Sequence, residues 1–453
     1  MAARASSAVR QLAFPELSPV PGAVQALASA GIEERGAIFT RREVVDCILD
    51  LAGYTADRKL YKLRLLEPSF GDGDFLLPAI ERLVTSAKRH LKGQAFADAL
   101  ANAVCGVELH EATFTKTSAA VLEFLRSQGL TSAQATRLAA GWLRQGDFLL
   151  QEFTHDFDVV IGNPPYVRQE LIPDILMTEY RARYRTIYDR ADLYVPFIEH
   201  SLNLLAEGGL LGFICADRWM KNRYGGPLRK MVASAYHLRA YIDMVDTPAF
   251  HSEVIAYPAI TMIAREKGTK TRVARRPEIS ASALKRLGKT LTSEATPPES
   301  SGVREMQAVA AGAEPWILES FDQLAVVRRL EEAFPSLEEA GCKVGIGVAT
   351  GADKAFIGKF DELDVEADRK LPLVMTRDIL EGHVAWRGFG VINPFNDDGG
   401  LVDLKAYPKL RSYLEARREQ IAKRHVAEKA PANWYRTIDR IYPAIANKPK
   451  LLI

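Results

Sequence analysis

Hydrophobic and polar positions between residues 31 and 265 follow two alternating patterns. Short apolar runs that end in Gly, Pro or Asn predict strands, and the amphipathic stretches between them predict helices. The predicted strands are Leu63–Leu66, Val104–Val107, Val159–Ile161, Leu210–Cys215, Leu238–Met244 and Ala259–Ala264. The predicted helices include Arg42–Ala52, Leu76–Lys92, Glu111–Gln128 and Tyr194–Ala206. This alternation predicts βαβ units and an α/β fold with a mostly parallel sheet.

The pattern changes after residue 265 and again near residue 316. Residues 265–289 contain nine Lys or Arg against two Glu, and Ser-, Thr- and Pro-rich sequence follows, so residues 266–315 are predicted to be a connector. A solvated loop and a segment that lies against a polyanion are both open interpretations of its charge. Frequent glycines then predict a smaller second domain over residues 316–453, with a charged helix at Leu410–Glu428.

The two ends of the chain carry separate expectations. Residues 1–30 are basic at their start and are not followed by an apolar signal region, which predicts a short disordered N-terminal extension. The last residues, Lys450–Ile453, resemble part of a strand, so the second domain is expected to be truncated.

Composition narrows the class of protein. The chain has 453 residues, 47% hydrophobic and 26% charged, which is typical of a soluble protein with two or three domains. Its four cysteines are far apart, so we expect neither a disulfide framework nor a metal site. No stretch approaches the ~20 apolar residues of a membrane span, and we expect a cytoplasmic protein. The net charge of +2 does not by itself indicate nucleic acid.

A glycine-containing turn follows the first predicted strand. The sequence there is Glu67-Pro68-Ser69-Phe70-Gly71-Asp72-Gly73-Asp74-Phe75. Glycines at 71 and 73 allow the backbone to turn tightly and to approach a ligand closely. An acid such as Glu67 at a strand end can hold an ammonium group or a hydroxyl. Taken alone, this segment fits an ordinary tight turn equally well.

Two further acids also lie at the ends of predicted strands. Glu108 ends the second strand, where an acid can accept hydrogen bonds from both ribose hydroxyls of an adenosyl group. Asp147 and Phe148 end another short segment, in which the carboxylate could bond an adenine amino group and the ring could cover the base. A surface acid and a turn before a core Phe are the alternatives when each segment is taken alone.

The most specific motif is Asn163-Pro164-Pro165-Tyr166, directly after the buried strand near residue 160. Two prolines fix the backbone and remove amide donors, so this segment offers carbonyl acceptors. The side-chain oxygen of Asn163 and the carbonyl of Pro164 can each accept one hydrogen of a planar exocyclic amine. Its lone pair is thereby freed for attack, most strongly in the transition state. Tyr166 can stack on the base. A rigid loop with a buried Tyr is the alternative.

This ordered set resembles the amino-group class of DNA methyltransferases, with the cofactor half first and the recognition domain last. It is similar to adenine-specific enzymes of type II and type IIG restriction–modification systems over residues 31–265, and more loosely over residues 340–440. The resemblance implies a Rossmann-like class I methyltransferase domain over residues 31–265 and a target-recognition domain over residues 316–453. It also implies S-adenosyl-L-methionine as cofactor and N6 of adenine as acceptor. N4 of cytosine stays open, because the same two oxygens suit that amine.

The resemblance assigns roles to single residues. Gly36–Thr40 resembles the motif that contacts the methionine end of the cofactor, although Arg41 stands where the family usually has Pro. Phe197 corresponds to a residue that packs against the cofactor's adenine. Phe250 is the candidate second stacking partner of the target base, with a core position as the alternative. The implied cofactor residues are Thr40, Glu67, Pro68, Gly71, Gly73, Phe75, Glu108, Asp147, Phe148, Asn163, Pro165 and Phe197. The implied catalytic residues are Asn163, Pro164, Tyr166 and Phe250.

Basic residues after the Asn-Pro-Pro-Tyr motif are candidates for contacts with DNA phosphates. A base inside a duplex cannot reach Asn163, so the resemblance implies that the target is flipped out. One basic group contains Arg181, Arg183 and Arg185 with Arg190, and the other contains Arg218, Lys221 and Arg223 with Arg229 and Lys230. Solvated surface charges are the alternative. We expect double-stranded DNA and a cognate restriction endonuclease as partners, no membrane, and a monomer.

Other functions stay open at this point. Asn-Pro-Pro-Tyr also suits methylation of RNA or of a protein glutamine, but the long second domain favours DNA. A DNA-binding module that has lost catalysis is disfavoured by the complete motif. A combined restriction–modification polypeptide would need a nuclease motif, and we find none in strand context.

Overall fold

The chain forms two compact units, Met1–Arg328 and Arg329–Ile453. The computed structural model describes residues 19–29, 38–91, 96–251, 257–318, 326, 329–343, 345, 347–380, 382–443 and 448–452. Within these residues, no helix combines the length and apolarity needed to cross a bilayer. Gly36 and Ala37 of the predicted N-terminal motif lie outside the described residues.

The first unit is built on a nine-stranded sheet. Its strands are β1 (Leu65–Glu67), β2 (Val104–Glu108), β3 (Leu143–Gln145), β4 (Phe157–Gly162), β5 (Leu205–Ala216), β6 (His237–Asp243), β7 (Pro258–Ala264), β8 (Lys270–Arg275) and β9 (Val303–Gln307). They lie in the order β3-β2-β1-β4-β5-β7-β6-β8-β9. The first five of these run parallel, whereas β7 is antiparallel to both of its neighbours. The prediction of an α/β, Rossmann-like fold with a mostly parallel sheet is confirmed.

Helices cover both faces of this sheet. They are α1 (Val20–Ala28), α2 (Arg42–Leu51), α3 (Leu76–His90), α4 (Phe96–Leu100), α5 (Glu111–Ser127), α6 (Ser132–Trp142), α7 (Asp174–Arg183), α8 (Tyr194–Asn203), α9 (Arg218–Lys221), α10 (Gly226–Ala235) and α11 (Ala281–Thr292). Because side chains of a strand alternate between faces, Leu65 and Leu66 enter two different hydrophobic clusters. One cluster packs with α2 and α3, and the other packs with α8 and α10.

The segment over residues 266–315 differs from the predicted connector. It adds β8, α11 and β9 to the sheet, with β8 parallel to β6 and antiparallel to β9. Arg272 is buried, and its guanidinium donates to the carbonyl of Thr290 at 2.7 Å and pairs with Glu305 at 3.2 Å. Lys270 also pairs with Glu305, at 2.9 Å. These basic side chains stabilise the edge of the sheet. The positive charge of this segment therefore has a structural role that the sequence pattern did not predict.

The N-terminal extension also differs from the prediction. Within residues 1–30, Val20–Ala28 forms helix α1 rather than a disordered segment. Val20, Ala23, Val24 and Leu27 pack against the same cluster as α8. These four apolar residues are spaced so that they lie on one face of α1, which explains why the segment forms a packed helix.

The second unit has a small core of its own. Its strands are β10 (Ile357–Lys359), β11 (Lys370–Pro372), β12 (Ile379–Leu380), β13 (His383–Val384) and β14 (Phe389–Ile392), and its helices include α12 (Asp353–Phe356), α13 (Pro408–Glu415), α14 (Arg418–Ala422) and α15 (His425–Glu428). The single charged helix predicted at Leu410–Glu428 is thus three short helices. Arg424 lies at their last break and donates to the carbonyls of Ile421 and Arg436, each at 2.8 Å. Residues 448–452 form no strand.

Candidate active site

Four neighbouring parallel strands end at one edge of the first unit's sheet, in the spatial order β3, β2, β1 and β4. Within two residues of their carboxyl ends lie Asp147, Glu108, Glu67 and Asn163, which we call the strand-end row. Because neighbouring strands are about 4.8 Å apart, this row extends over roughly 14 Å. The strand order reverses between β1 and β4, and open α/β sheets bind their ligands at such points.

A cavity of about 410 Å³ is lined by all four residues of the strand-end row. This volume lies within the roughly 300–1,000 Å³ of small-molecule sites. The predicted cofactor residues that line it are Thr40, Glu67, Pro68, Gly71, Phe75, Glu108, Asp147, Phe148, Asn163, Pro165 and Phe197. Gly73 makes the turn instead, with φ at +91°, and a Cβ there would meet the Thr117 methyl at 3.0 Å.

Glu108 is held in place by two backbone amides. Its Oε2 accepts a hydrogen bond from Gly71 N, and its Oε1 accepts one from His110 N, both at 2.8 Å. The first bond fixes the turn after β1 to the end of β2. Gly71 has φ at +50°, a conformation that favours glycine. The Glu108 carboxylate is therefore oriented by the protein itself.

Asp147 lies at the opposite end of the row from Asn163. Its Oδ1 accepts from Leu149 N at 2.9 Å, and its Oδ2 accepts from the Tyr180 hydroxyl. Burial raises the pKa of this carboxyl, while the two hydrogen bonds oppose the rise. The next residue, Phe148, has its ring centre 5.1 Å from that of Phe197. Apolar rings therefore border this end of the cavity.

Glu67 is buried in the middle of the row with 1% of its surface exposed. Its Oε2 has no hydrogen-bond partner in the part of the chain that the structure describes. Burial raises the pKa of the carboxyl well above its ordinary value, and Asp74 and Glu108 raise it further. The cavity is also lined by Asp72, which pairs with Lys116 at 2.9 Å. This acid-rich lining favours a ligand that carries positive charge.

Asn163 follows β4 directly and presents its side-chain oxygen. Its Nδ2 donates to the carbonyl of Ile38 at 3.0 Å and to Oγ1 of Thr40 at 3.3 Å. Its Oδ1 is buried and has no hydrogen-bond partner among the described residues. Since the amide nitrogen carries two hydrogens, the protein uses both of them and leaves the oxygen as an acceptor.

The rest of the Asn-Pro-Pro-Tyr motif lies partly beside the cavity. Pro165 lines it, whereas Pro164 is buried and does not. Tyr166 is half-buried, and no described residue bonds its buried hydroxyl. Burial raises the pKa of that hydroxyl well above its ordinary value. The hydroxyl end of Tyr166 is thus in the interior, and only part of its ring is exposed.

Phe250 has a different environment from the one predicted for a stacking residue. Its side chain is 6% exposed and belongs to the hydrophobic core with Met244 and Ala249. It does not line the cavity. Its backbone forms an antiparallel bridge with Thr40, so Phe250 lies next to the site through its main chain. Stacking of this ring on a base stays a prediction, and the burial of the ring argues against it.

The basic groups are exposed, with one exception. The six predicted phosphate contacts, all exposed, are Arg181, Arg183, Arg185, Arg218, Lys221 and Arg223. Lys221 pairs with Asp217 at 3.0 Å. Arg229, which the sequence grouped with them, is instead 2% exposed and donates to the carbonyls of Ala313 and Asn222, each at 2.8 Å. It stabilises the turn before α10 and is not available to a phosphate.

Comparison with known proteins identifies the family. The family model described as Eco57I restriction-modification methylase matches residues 81–250. The type II methyltransferase M.PaeR7I of Pseudomonas aeruginosa is 64% identical over 436 residues, covering 96% of this chain and 76% of the relative. The chain belongs to the type II methyltransferases of restriction–modification systems. The resemblance to type II methyltransferases of restriction–modification systems is therefore confirmed.

Further relatives of this type II methyltransferase cover similar shares of the chain. M.XhoI of Xanthomonas vasicola is 55% identical and covers 93% of the chain and 78% of its own length. M.BstVI of Geobacillus stearothermophilus is 46% identical, with coverages of 92% and 77%. Among solved structures, the DrdV–DNA complex has a TM-score of 0.52 at 15% identity, over 92% of this chain and 42% of that one. A likeness at this identity establishes a shared fold.

The cavity of this type II methyltransferase is also lined by residues to which the sequence assigned no role. They are Leu27, Ile38, Asp74, His110, Thr113, Lys116 and Tyr180, among others. Ile38 and Asp74 lie within segments that the sequence did single out, and His110 follows Glu108 by two residues, so their position was a usable signal. Tyr180 and Leu27 come from α7 and α1, which carry no motif.

Proposed function

We propose that this type II methyltransferase transfers a methyl group from S-adenosyl-L-methionine to N6 of a flipped adenine in duplex DNA. The strand-end row carries the proposal, because its order follows the order of groups along the cofactor and its acceptor. In this arrangement Asp147 would hold the adenine, Glu108 the ribose and Glu67 the methionine part of the cofactor. Asn163 would bond the amine that receives the methyl group.

An unpaired carboxylate oxygen and the acidic lining of the cavity support this cofactor. Glu67 Oε2 has no partner among the described residues, and an ammonium group would supply the missing donor. Glu108 is oriented by Gly71 N and His110 N, and a carboxylate oxygen can accept more than one hydrogen bond, as contacts with ribose hydroxyls would require. When bound, the cofactor supplies an electrophilic methyl group next to a positively charged sulfur. The acid-rich lining favours that charge.

Asn163 and Pro164 would activate the acceptor amine. Asn163 Oδ1 accepts one amino hydrogen, and the Pro164 carbonyl accepts the second. These bonds strengthen as positive charge develops on the nitrogen, so they stabilise the transition state more than the ground state. Tyr166 would hold the base by stacking with the exposed part of its ring.

Exposed arginines near the cavity support a DNA substrate. Arg181 and Arg183 lie on α7, the helix whose Tyr180 lines the cavity. Contacts between these arginines and DNA phosphates would hold a duplex next to the cavity, because Arg181 and Arg183 lie one and three residues after Tyr180. Such contacts can offset the few kcal/mol that base flipping costs. The exposed Arg218, Lys221 and Arg223 form a second surface for the same role.

We assign recognition of the target sequence to the second unit, and cleavage of unmethylated DNA to a separate cognate endonuclease. A turn at Thr350–Asp353 in the second unit is fixed by hydrogen bonds. Thr350 Oγ1 bonds Asp353 at 2.5 Å, and Arg424 donates to the Thr350 carbonyl at 2.5 Å. A fixed turn of this kind can hold a loop for contacts with base edges.

Identification of the methylated product tests the proposal. The chain is incubated with methyl-labelled cofactor and with duplex DNA, RNA or protein extract, and the labelled product is hydrolysed and separated. N6-methyladenine in DNA is the expected result. N4-methylcytosine would overturn adenine as the acceptor, and label only in RNA or protein would overturn DNA as the substrate. Cofactor binding without any transfer would favour a DNA-binding module.

A further inference from the structure

Residues 38–41 form a short strand-like segment beside Ala249–His251. Thr40 and Phe250 form an antiparallel bridge. Arg41 N donates to the Ala249 carbonyl at 3.0 Å, and His251 N donates to the Phe39 carbonyl at 3.1 Å. The segment is therefore attached to Ala249–His251 on both sides of Thr40.

Arg41 contributes a second, side-chain bond to this attachment. Its Nε donates to the Phe250 carbonyl at 3.1 Å. Arg41 thus supplies two donors to the same partner segment, one from its backbone and one from its guanidinium. Directly after it, α2 begins, and the Arg41 carbonyl accepts from Val44 N and Val45 N at 3.0 and 3.1 Å. The position of Arg41 is consequently fixed from both directions.

The attached segment determines which way the Asn163 amide faces. Its Nδ2 lies against two acceptors, the Ile38 carbonyl at 3.0 Å and Thr40 Oγ1 at 3.3 Å. A carbonyl can only accept a hydrogen bond, so the Ile38 oxygen requires the nitrogen on its side. Thr40 is itself held, since its N–H donates to Asp74 Oδ2 at 2.8 Å. The opposite orientation would leave two oxygens face to face.

We propose that Thr40 and Arg41 are positioning residues for methyl transfer: Thr40 with the Ile38 carbonyl orients the Asn163 amide, and Arg41 holds that segment in place. This inference rests on the proposed role of Asn163 as acceptor of the amino hydrogens. The role differs from direct contact with the cofactor, because Thr40 Oγ1 is engaged by Asn163. It also gives Arg41 a role in catalysis although its side chain does not line the cavity.

Substitution of Thr40 tests the orienting bond. Thr40→Val keeps the shape of the side chain and removes the acceptor, whereas Thr40→Ser keeps the acceptor. Thr40→Val should lower kcat about tenfold, the size of one lost hydrogen bond, with the cofactor Kd nearly unchanged. Thr40→Ser should restore most of kcat. Unchanged kcat in the valine variant, or a loss of cofactor affinity that matches the loss of kcat, would overturn the proposal.

Substitution of Arg41 tests the attachment. Arg41 has φ at −65°, which proline also adopts, so Arg41→Pro removes both donors without forcing the backbone. Arg41→Ala removes only the guanidinium. The proline variant should lose more kcat than the alanine variant, both with melting temperatures near that of the native chain. Equal activity in the two variants would overturn a role for the backbone bond.

The two proposals fail in distinguishable ways. If the native chain methylates N4 of cytosine, adenine as acceptor is overturned, while the Thr40 and Arg41 variants still test orientation of Asn163. If the native chain methylates N6 of adenine and Thr40→Val has native kcat, the proposed function stands and the positioning role is wrong. A poorly folded Arg41→Pro variant leaves the Thr40 pair as the deciding experiment.

Discussion

At the cofactor end of the strand-end row, the protein already pairs its own polar groups. Glu108 accepts from two backbone amides, and Asp147 accepts from an amide and a hydroxyl. At the acceptor end, Asn163 Oδ1 is buried with no partner among the residues described. Its amide nitrogen, in contrast, is fully engaged. The carboxylates of the cofactor end are thus oriented by the protein itself, whereas the oxygen at the acceptor end lacks a donor.

This difference predicts that one group of residues controls cofactor affinity and another controls the rate of methyl transfer. Groups that are already oriented bind a ligand with little loss of conformational freedom, so the cofactor end should control affinity. A buried acceptor without a partner costs about 1–3 kcal/mol, which an incoming amine would recover when it donates its hydrogens. The acceptor end should therefore control the rate. Glu67 is the exception, because it lies between the two and is also unpaired.

Asn163→Ala should have the largest effect. We expect kcat for transfer to fall at least roughly a hundredfold, as when a single group that stabilises transition-state charge is removed. The cofactor Kd should change little, because Glu108 and Asp147 keep their partners. Single-turnover transfer of labelled methyl and calorimetric titration of cofactor measure the two quantities. Asn203→Ala, an exposed position at the end of α8, is the control. Retained activity in the Asn163 variant would count against the mechanism.

Glu108→Ala should have the opposite effect: cofactor binding should weaken and kcat should stay nearly unchanged. Loss of hydrogen bonds to a charged group should weaken cofactor binding roughly tenfold to a hundredfold. At saturating cofactor, kcat should stay close to native, since Asn163 and its partners are untouched. Glu111→Ala, exposed on the first turn of α5, is the matched control and should bind normally. A Glu108 variant that loses kcat but not affinity would remove the distinction between the two ends.

Glu67→Gln should change how stability depends on pH. Burial raises the pKa of Glu67 above its ordinary value of 4.5, so the folded protein keeps this proton longer than the unfolded chain does. Between pH 4.5 and the folded pKa, the ligand-free native protein should therefore lose stability as pH rises. The glutamine variant lacks this dependence. As pH rises through that window, the melting temperature of the variant should therefore increase relative to that of the native protein. Parallel curves from thermal melts at several pH values would show that Glu67 does not titrate in this way.

The sequence predicted the strand-end row well because its signal is local. Glu67, Glu108 and Asn163 each stand at the end of an apolar run, and the end of a parallel strand is where a ligand binds. Tyr180 has no such neighbour in sequence. It reaches the cavity because α7 packs against the sheet. The spacing of residues along the chain does not predict that contact.

Basic residues were the least predictable from sequence. Arg229 and Arg272 look like members of exposed clusters, yet both are buried and donate to backbone carbonyls. Their partners lie on segments distant in sequence, such as Ala313 for Arg229. A guanidinium has five donors, so it can satisfy carbonyls at turns as readily as it can bind phosphate. Charge alone did not distinguish these roles, and the connector prediction was wrong for the same reason.

Tyr180→Phe should have the smallest effect and tests how complete the cofactor end is. Removal of the hydroxyl leaves Asp147 Oδ2 without its donor, while Leu149 N still bonds Oδ1 at 2.9 Å. Because one bond still orients the carboxylate, cofactor affinity should fall by less than about tenfold. Tyr184→Phe is the control, since its hydroxyl donates to the Leu149 carbonyl at 2.5 Å and not to a residue of the row. If both variants weaken cofactor binding equally, the loss reflects packing of α7; if only Tyr180→Phe does, the hydroxyl helps to set the position of Asp147.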